Sequence, residues 1–135
     1  MTRSKTRLIW FLRLLAAGLM LQTLYFKFTA APESVYIFTT LGLEPIGRIG
    51  IAVLELVAAV FILVPRTTVY GAVLAIGLMS GALFFHLTKL GIEVMQDGGQ
   101  LFIYALLVFT SSVALVLIFR PTLYNLVNLN PRYRL

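Results

Sequence analysis

The sequence contains no cysteine, a single histidine and only five acidic residues among 135. Without thiols, the chain cannot carry a disulfide framework, a dithiol catalyst, a thiolate metal site, an iron–sulfur cluster or covalently attached haem. With His86 alone, a multi-histidine metal or haem site is excluded too. Charge is scarce: 12% of residues are charged, where a soluble domain carries about 25%. Apolar residues fill the space, at 60% of the chain and a mean hydropathy of +0.96. This composition excludes a water-soluble globule, a disordered chain and a coiled coil.

The apolar residues fall into four blocks, at about 8–28, 46–64, 67–88 and 100–119. Each approaches the roughly 20 residues that a helix needs to cross a hydrocarbon core of about 30 Å. Inside a bilayer the backbone polar groups must be satisfied within the segment, so each block is expected to be a helix. The expected fold is therefore all-α: an antiparallel four-helix integral membrane bundle, one transmembrane domain over 1–135. Pro32, Pro45, Pro65, Gly98-Gly99 and Pro121 punctuate the blocks. Blocks two and three are so close that they must form a tight hairpin. In the first connection Val35, Phe38 and Leu41 recur at helical spacing before Gly42, which predicts a short interfacial helix ended by that glycine. Residues 121–135 alternate apolar, tyrosine and arginine positions, and an interfacial tail is expected there. The first block is too long for a signal-peptide core and contains Arg13, so cleavage is not expected.

Arg3, Lys5, Arg7, Arg66, Arg120, Arg132 and Arg134 gather on the side of both termini. Lys27, Arg48 and Lys89 share the other side with Glu33, Glu44, Glu93 and Asp97. This asymmetry predicts cytoplasmic termini. The net charge of +6 is thus a topology signal with attraction to anionic lipid. It does not suggest nucleic-acid binding, since the cations do not cluster on one water-exposed face.

Within the blocks, a few polar residues stand out. Glu55 lies near the middle of the second, where a charge costs about 2.5–3.5 kcal/mol on insertion scales. Residues seven apart share a helical face with a drift of about 20°. Arg13, Met20 and Lys27 form one such stripe, Arg48 and Glu55 a second, Met79 and His86 a third. Gln100, Tyr104 and Ser111 form a fourth, so that each helix offers one polar stripe to an enclosed core. Glu55, Lys27, His86, Arg13, Gln100, Tyr104 and Arg48 are the candidate ligand-binding or polar-core residues. Glu55 can pair with Lys27 or with Arg13, or be protonated and hydrogen-bonded as a neutral acid. Lys27 and Arg13 can instead snorkel to headgroups, and His86 can be a satisfied interfacial group. The Gly77–Gly81 GxxxG, with Gly71 and Ala75, suggests close helix approach within the bundle or between copies.

Several of these residues occur in an order that resembles the DoxX-like membrane proteins. The basic start leads to Arg13-Leu14-Leu15, then Tyr25-Phe26-Lys27-Phe28, Leu41-Gly42-Leu43, Glu55-Leu56, Val64-Pro65-Arg66 and His86. The resemblance covers most of residues 8–119, and its most specific part is Lys27, Glu55 and His86 on successive helices. It implies a four-helix bundle. It also implies a choice of settings: subunits of archaeal quinol oxidase or thiosulfate:quinone oxidoreductase assemblies, partners of redox enzymes, or, in an animal branch, acetylcholine-receptor chaperones. The long tails of that branch are absent. A vitamin-K-epoxide-reductase outline would need a cysteine pair.

The leading expectation is a non-enzymatic accessory or assembly factor (a chaperone-like partner) of a membrane complex, in a bacterial cytoplasmic (inner) membrane. Its partners would be the bilayer and either another membrane protein or a second copy, with no metal. No cofactor is expected; the alternative is a quinone- or lipid-binding oxidoreductase subunit, in which a quinone or lipid would be bound. A proton-coupled or small-solute transporter, working as an oligomer, comes last, because no inverted repeat or mid-membrane helix break is visible.

Overall fold

A computed structural model describes residues 2–122. Five α-helices follow in order: α1 (Arg3–Phe28), α2 (Pro32–Thr40), α3 (Ile46–Leu63), α4 (Thr68–Phe85) and α5 (Gln100–Ile118). A π-helical turn, His86–Leu90, extends α4. Four spans are long and apolar enough to cross a membrane: Arg3–Phe28, Ile46–Leu63, Thr68–Leu90 and Gln100–Ile118. The chain is all-helical among the described residues, and α1 begins at Arg3, a turn before the apolar block. The tail expected at 121–135 lies outside the described residues from 123 onward.

The four spans form a ring in which α1 packs on α3 and α5, and α4 packs on the same two. Every neighbour in the ring is antiparallel. Small residues occupy the centre, with Ala16 and Ala17 on α1, Ala58 and Ala59 on α3, and Ala72 and Ala75 on α4, all essentially inaccessible. Without bulky side chains the helices approach closely, and dispersion between well-fitted surfaces does the work that water exclusion cannot do in lipid. Gly71 makes the tightest approach. A Cβ there would lie 2.6 Å from the Ala58 carbonyl oxygen and 2.7 Å from the Ile62 nitrogen. The GxxxG is different, because a Cβ at Gly77 or Gly81 would meet nothing within 4 Å. Within the bundle, the close helix approach is therefore made by Gly71, about one turn and a half earlier, and not by that motif.

Helix ends inside a bilayer must find partners for their last carbonyls. At the end of α3 the tight turn supplies them from two threonines. Thr67 Oγ1 donates to the Phe61 carbonyl (2.8 Å) and Thr68 Oγ1 to that of Ile62 (3.0 Å). Arg13 reaches across from α1 to complete the set, with Nε donating to Ile62 O at 2.8 Å and Nη2 to Leu63 O at 3.0 Å. Its guanidinium also lies 4.2 Å from the Trp10 ring centroid. Arg48 on α3 returns the arrangement at the opposite end, where its Nη1 donates to the Lys27 carbonyl of α1. Each of these two antiparallel helices therefore caps the other.

The short helix α2 ends as its sequence suggests. Gly42 takes φ +73°, and Leu43 N donates to Phe38 O at 2.7 Å, closing a Schellman turn. The same closure ends α1, where Ala31 N donates to Phe26 O at 2.9 Å. There Ala30 takes the positive φ, at 54°.

Candidate functional site

In the half of the bundle away from the α3–α4 turn, α1, α3, α4 and α5 do not close on one another. They surround a cavity of about 360 Å³, which α2 partly covers with Ser34, Ile37 and Phe38. Apolar side chains such as Met20, Phe26, Ile51, Leu78 and Val108 form most of its wall.

Its polar wall begins on α1 and α3. Arg48 and Glu55 are seven residues apart on one face of α3, about 10 Å along the axis. Lys27 is held at both of those points. Its carbonyl takes the Arg48 guanidinium, while its side chain turns inward and brings Nζ to 2.9 Å from Glu55 Oε2. The two side chains are 16% and 6% exposed, so Lys27 does not snorkel to the surface. The approach lacks the alignment of a hydrogen bond, since Oε2 is enclosed without a hydrogen-bond partner. It is an ion pair by distance.

On the opposite wall the groups are locked in place and keep unused hydrogen-bonding capacity. Gln100 Nε2 donates to Tyr104 Oη at 2.6 Å, which leaves the phenol hydrogen free to donate. His86 Nδ1 lies 2.9 Å from the Gly91 carbonyl oxygen. A carbonyl only accepts, so Nδ1 carries the hydrogen, and Nε2 is an acceptor whenever the ring is neutral. The edge contact with Phe102, 5.6 Å between centroids, fixes the ring further.

Five of the seven candidate residues, Lys27, Glu55, His86, Gln100 and Tyr104, line this one cavity. Arg13 and Arg48 do not. Arg13 is 3% exposed and caps α3 at the other end of the bundle, so it neither pairs with Glu55 nor reaches headgroups. Arg48 Nε contacts both Glu44 oxygens, at 2.9 and 3.0 Å, and its role toward the cavity is to fix Lys27. Among the described residues, no three His, Asp or Glu side chains converge as a metal site.

The sequence reading missed Asp97, Ser34, Thr23 and Gln22, which also line the cavity. Asp97 was counted only for topology. Its Oδ1 accepts from Val94 N (3.0 Å) and Gly99 N (2.8 Å), and its Oδ2 from Leu101 N (3.2 Å). Burial pushes this carboxyl up, but those three N–H groups and nearby His86 hold it below the ordinary aspartate range. The Asp97-Gly98-Gly99 step before a helix was the available signal, because such a side chain readily bonds the following backbone. Ser34 shares the inward face of α2 with Phe38, one turn on.

A family model described as the DoxX-like family matches residues 11–110, a stretch that contains every residue of the polar wall named above. No curated protein and no solved structure matches the chain.

Proposed function

This chain belongs to the DoxX-like family of membrane proteins, and from that premise we propose that it is an accessory membrane protein that holds an amphiphilic small molecule, of the quinone or lipid kind, in the outer half of its bundle. The observation that carries this reading is the convergence of Lys27, Glu55, His86, Gln100 and Tyr104 on a single cavity of about 360 Å³. Ligand sites are mostly apolar clefts of about 300–1,000 Å³ with a few converging polar groups. The ligand's polar end sits by the Lys27–Glu55 pair, within reach of the Tyr104 hydroxyl and His86, and its apolar body lies among the surrounding leucine, methionine and phenylalanine side chains. Glu55 and His86 are groups that can exchange protons with a bound redox ligand.

A pure assembly factor is supported less, because the outward helix faces are leucine, valine and phenylalanine, which suit lipid and protein equally. A transporter is also supported less, because α3, α4 and α5 run as unbroken α-helix through their central turns. Arg3, Lys5, Arg7, Arg66 and Arg120 favour a cytoplasmic position for the α3–α4 turn and for both ends of the bundle, in a bacterial cytoplasmic membrane.

The test is mass spectrometry of the organic extract of protein purified from its membrane. A discrete bound molecule is expected with the wild-type protein, and Glu55→Gln should lower its amount about tenfold, equivalent to 1.4 kcal/mol. Extracts that are indistinguishable between the two proteins would remove Glu55 from the site.

A further inference from the structure

Gly77 and Gly81 are one turn apart on α4 and both line the cavity. A Cβ at either position would touch nothing within 4 Å. This stretch of wall is therefore bare backbone, and its bareness serves no helix packing within the bundle. Gly77 is exposed, and it is the tenth of the 23 residues in the Thr68–Leu90 span. At that depth the lipid around the bundle is acyl chain, not headgroup or water, and the cavity wall has no side chain there to close it. Glu55, the tenth residue of the 18 in α3, sits at a comparable depth.

The charges on the wall have a sign. Lys27 is already engaged by Glu55, and the other charged lining groups among the described residues are the carboxylates of Glu33 and Asp97. An anionic head would meet two further carboxylates, of which only that of Asp97 is met by backbone N–H groups. Any charged head would also have to cross hydrocarbon to enter at Gly77, which is costly.

We infer that the occupant is an uncharged amphiphile with a hydrogen-bonding head, admitted sideways from the bilayer past the bare backbone of Gly77 and Gly81. This deepens the reading of the cavity as an amphiphile site and rests on it. The two glycines set the entry and the seat of the apolar body, while the neutral ion pair receives the head.

The test uses the full chain in lipid nanodiscs with three probes of one chain length: dodecan-1-ol, dodecyl phosphate and dodecyltrimethylammonium. Retention is read by native mass spectrometry. The wild-type protein is expected to retain the alcohol, and to hold either ion at least about tenfold less tightly. Retention of the alcohol should fall in the order Gly, Ala, Leu at positions 77 and 81. Gly18→Leu and Gly50→Leu are the controls, since both positions are open and neither lines the cavity. Circular dichroism and thermal unfolding report whether each variant is folded, and the alanine variants keep the test decisive if a leucine variant is not. If the wild-type protein retains none of the probes, the amphiphile reading fails and this inference fails with it. If the alcohol is retained equally by folded Gly77→Ala, Gly77→Leu and Gly81→Leu variants, the entry is elsewhere although the cavity reading stands. A preference for either ion overturns the uncharged class.

Discussion

Lys27 is held at two points, one on its backbone and one on its side chain. Arg48 fixes its carbonyl and Glu55 its ammonium group, so a flexible four-carbon stem is stretched between two points on one face of α3. The partners are not equivalent when one is lost. In Lys27→Met, a mid-membrane carboxylate is left without its cation, and breaking a buried pair in this way costs about 3–5 kcal/mol. In Glu55→Gln, the freed lysine can swing outward toward headgroups, so the loss should be smaller. The double variant should recover much of the Lys27→Met loss. Denaturant or thermal unfolding in detergent measures this cycle, and strictly additive losses would show that the pair is not coupled. Helical phase made Glu55 legible as an interior residue, but it left Lys27 and Arg13 as equal candidates for its partner. Phase gives the face of one helix; it does not give the stagger between two.

At the scale of elements, the same ambiguity explains Arg13. Its place in the stripe with Lys27 suggested one shared polar core, yet its donors go to Ile62 O and Leu63 O at the opposite end of the bundle. The α3–α4 turn needs it because the last carbonyls of α3 have no partner within their own helix. Thr68 also serves Ile62, whereas among the described residues Leu63 relies on Arg13. Arg13→Met should therefore cost about 1–3 kcal/mol, the usual penalty for an orphaned buried acceptor. Hydrogen exchange should localise the opening to the α3–α4 turn, while amphiphile retention in the distant cavity stays unchanged. Protection that is unaltered at that turn would show the cap to be dispensable. The short helix α2 was legible for a different reason: Gly42 and the apolar spacing before it are local signals, which need no knowledge of neighbours.

At the scale of the whole molecule, the outward faces carry Phe11, Leu14, Ile46, Leu87 and Leu117, all well exposed. A patch of that extent is untenable in water and ordinary in lipid. The absence of cysteine makes orientation directly testable. Arg66→Cys, in the α3–α4 turn, should react with a membrane-impermeant maleimide only after permeabilisation of cells. Glu93→Cys, in the loop before α5, should react in intact cells. The reverse pattern would invert the orientation given by the arginine distribution.

The sequence alone determined that this protein crosses a membrane four times as helices, because a continuous apolar segment of about 20 residues satisfies its own backbone in hydrocarbon only as a helix. It also determined that Glu55 must be sheltered. Only the tertiary structure decided which cation shelters it, that Arg13 and Arg48 are reciprocal helix caps, and that Gly77 and Gly81 bound a cavity while Gly71 makes the close packing. Those outcomes depend on the relative height and rotation of neighbouring helices. Many weak contacts summed over the whole bundle set these quantities, and no single segment encodes them.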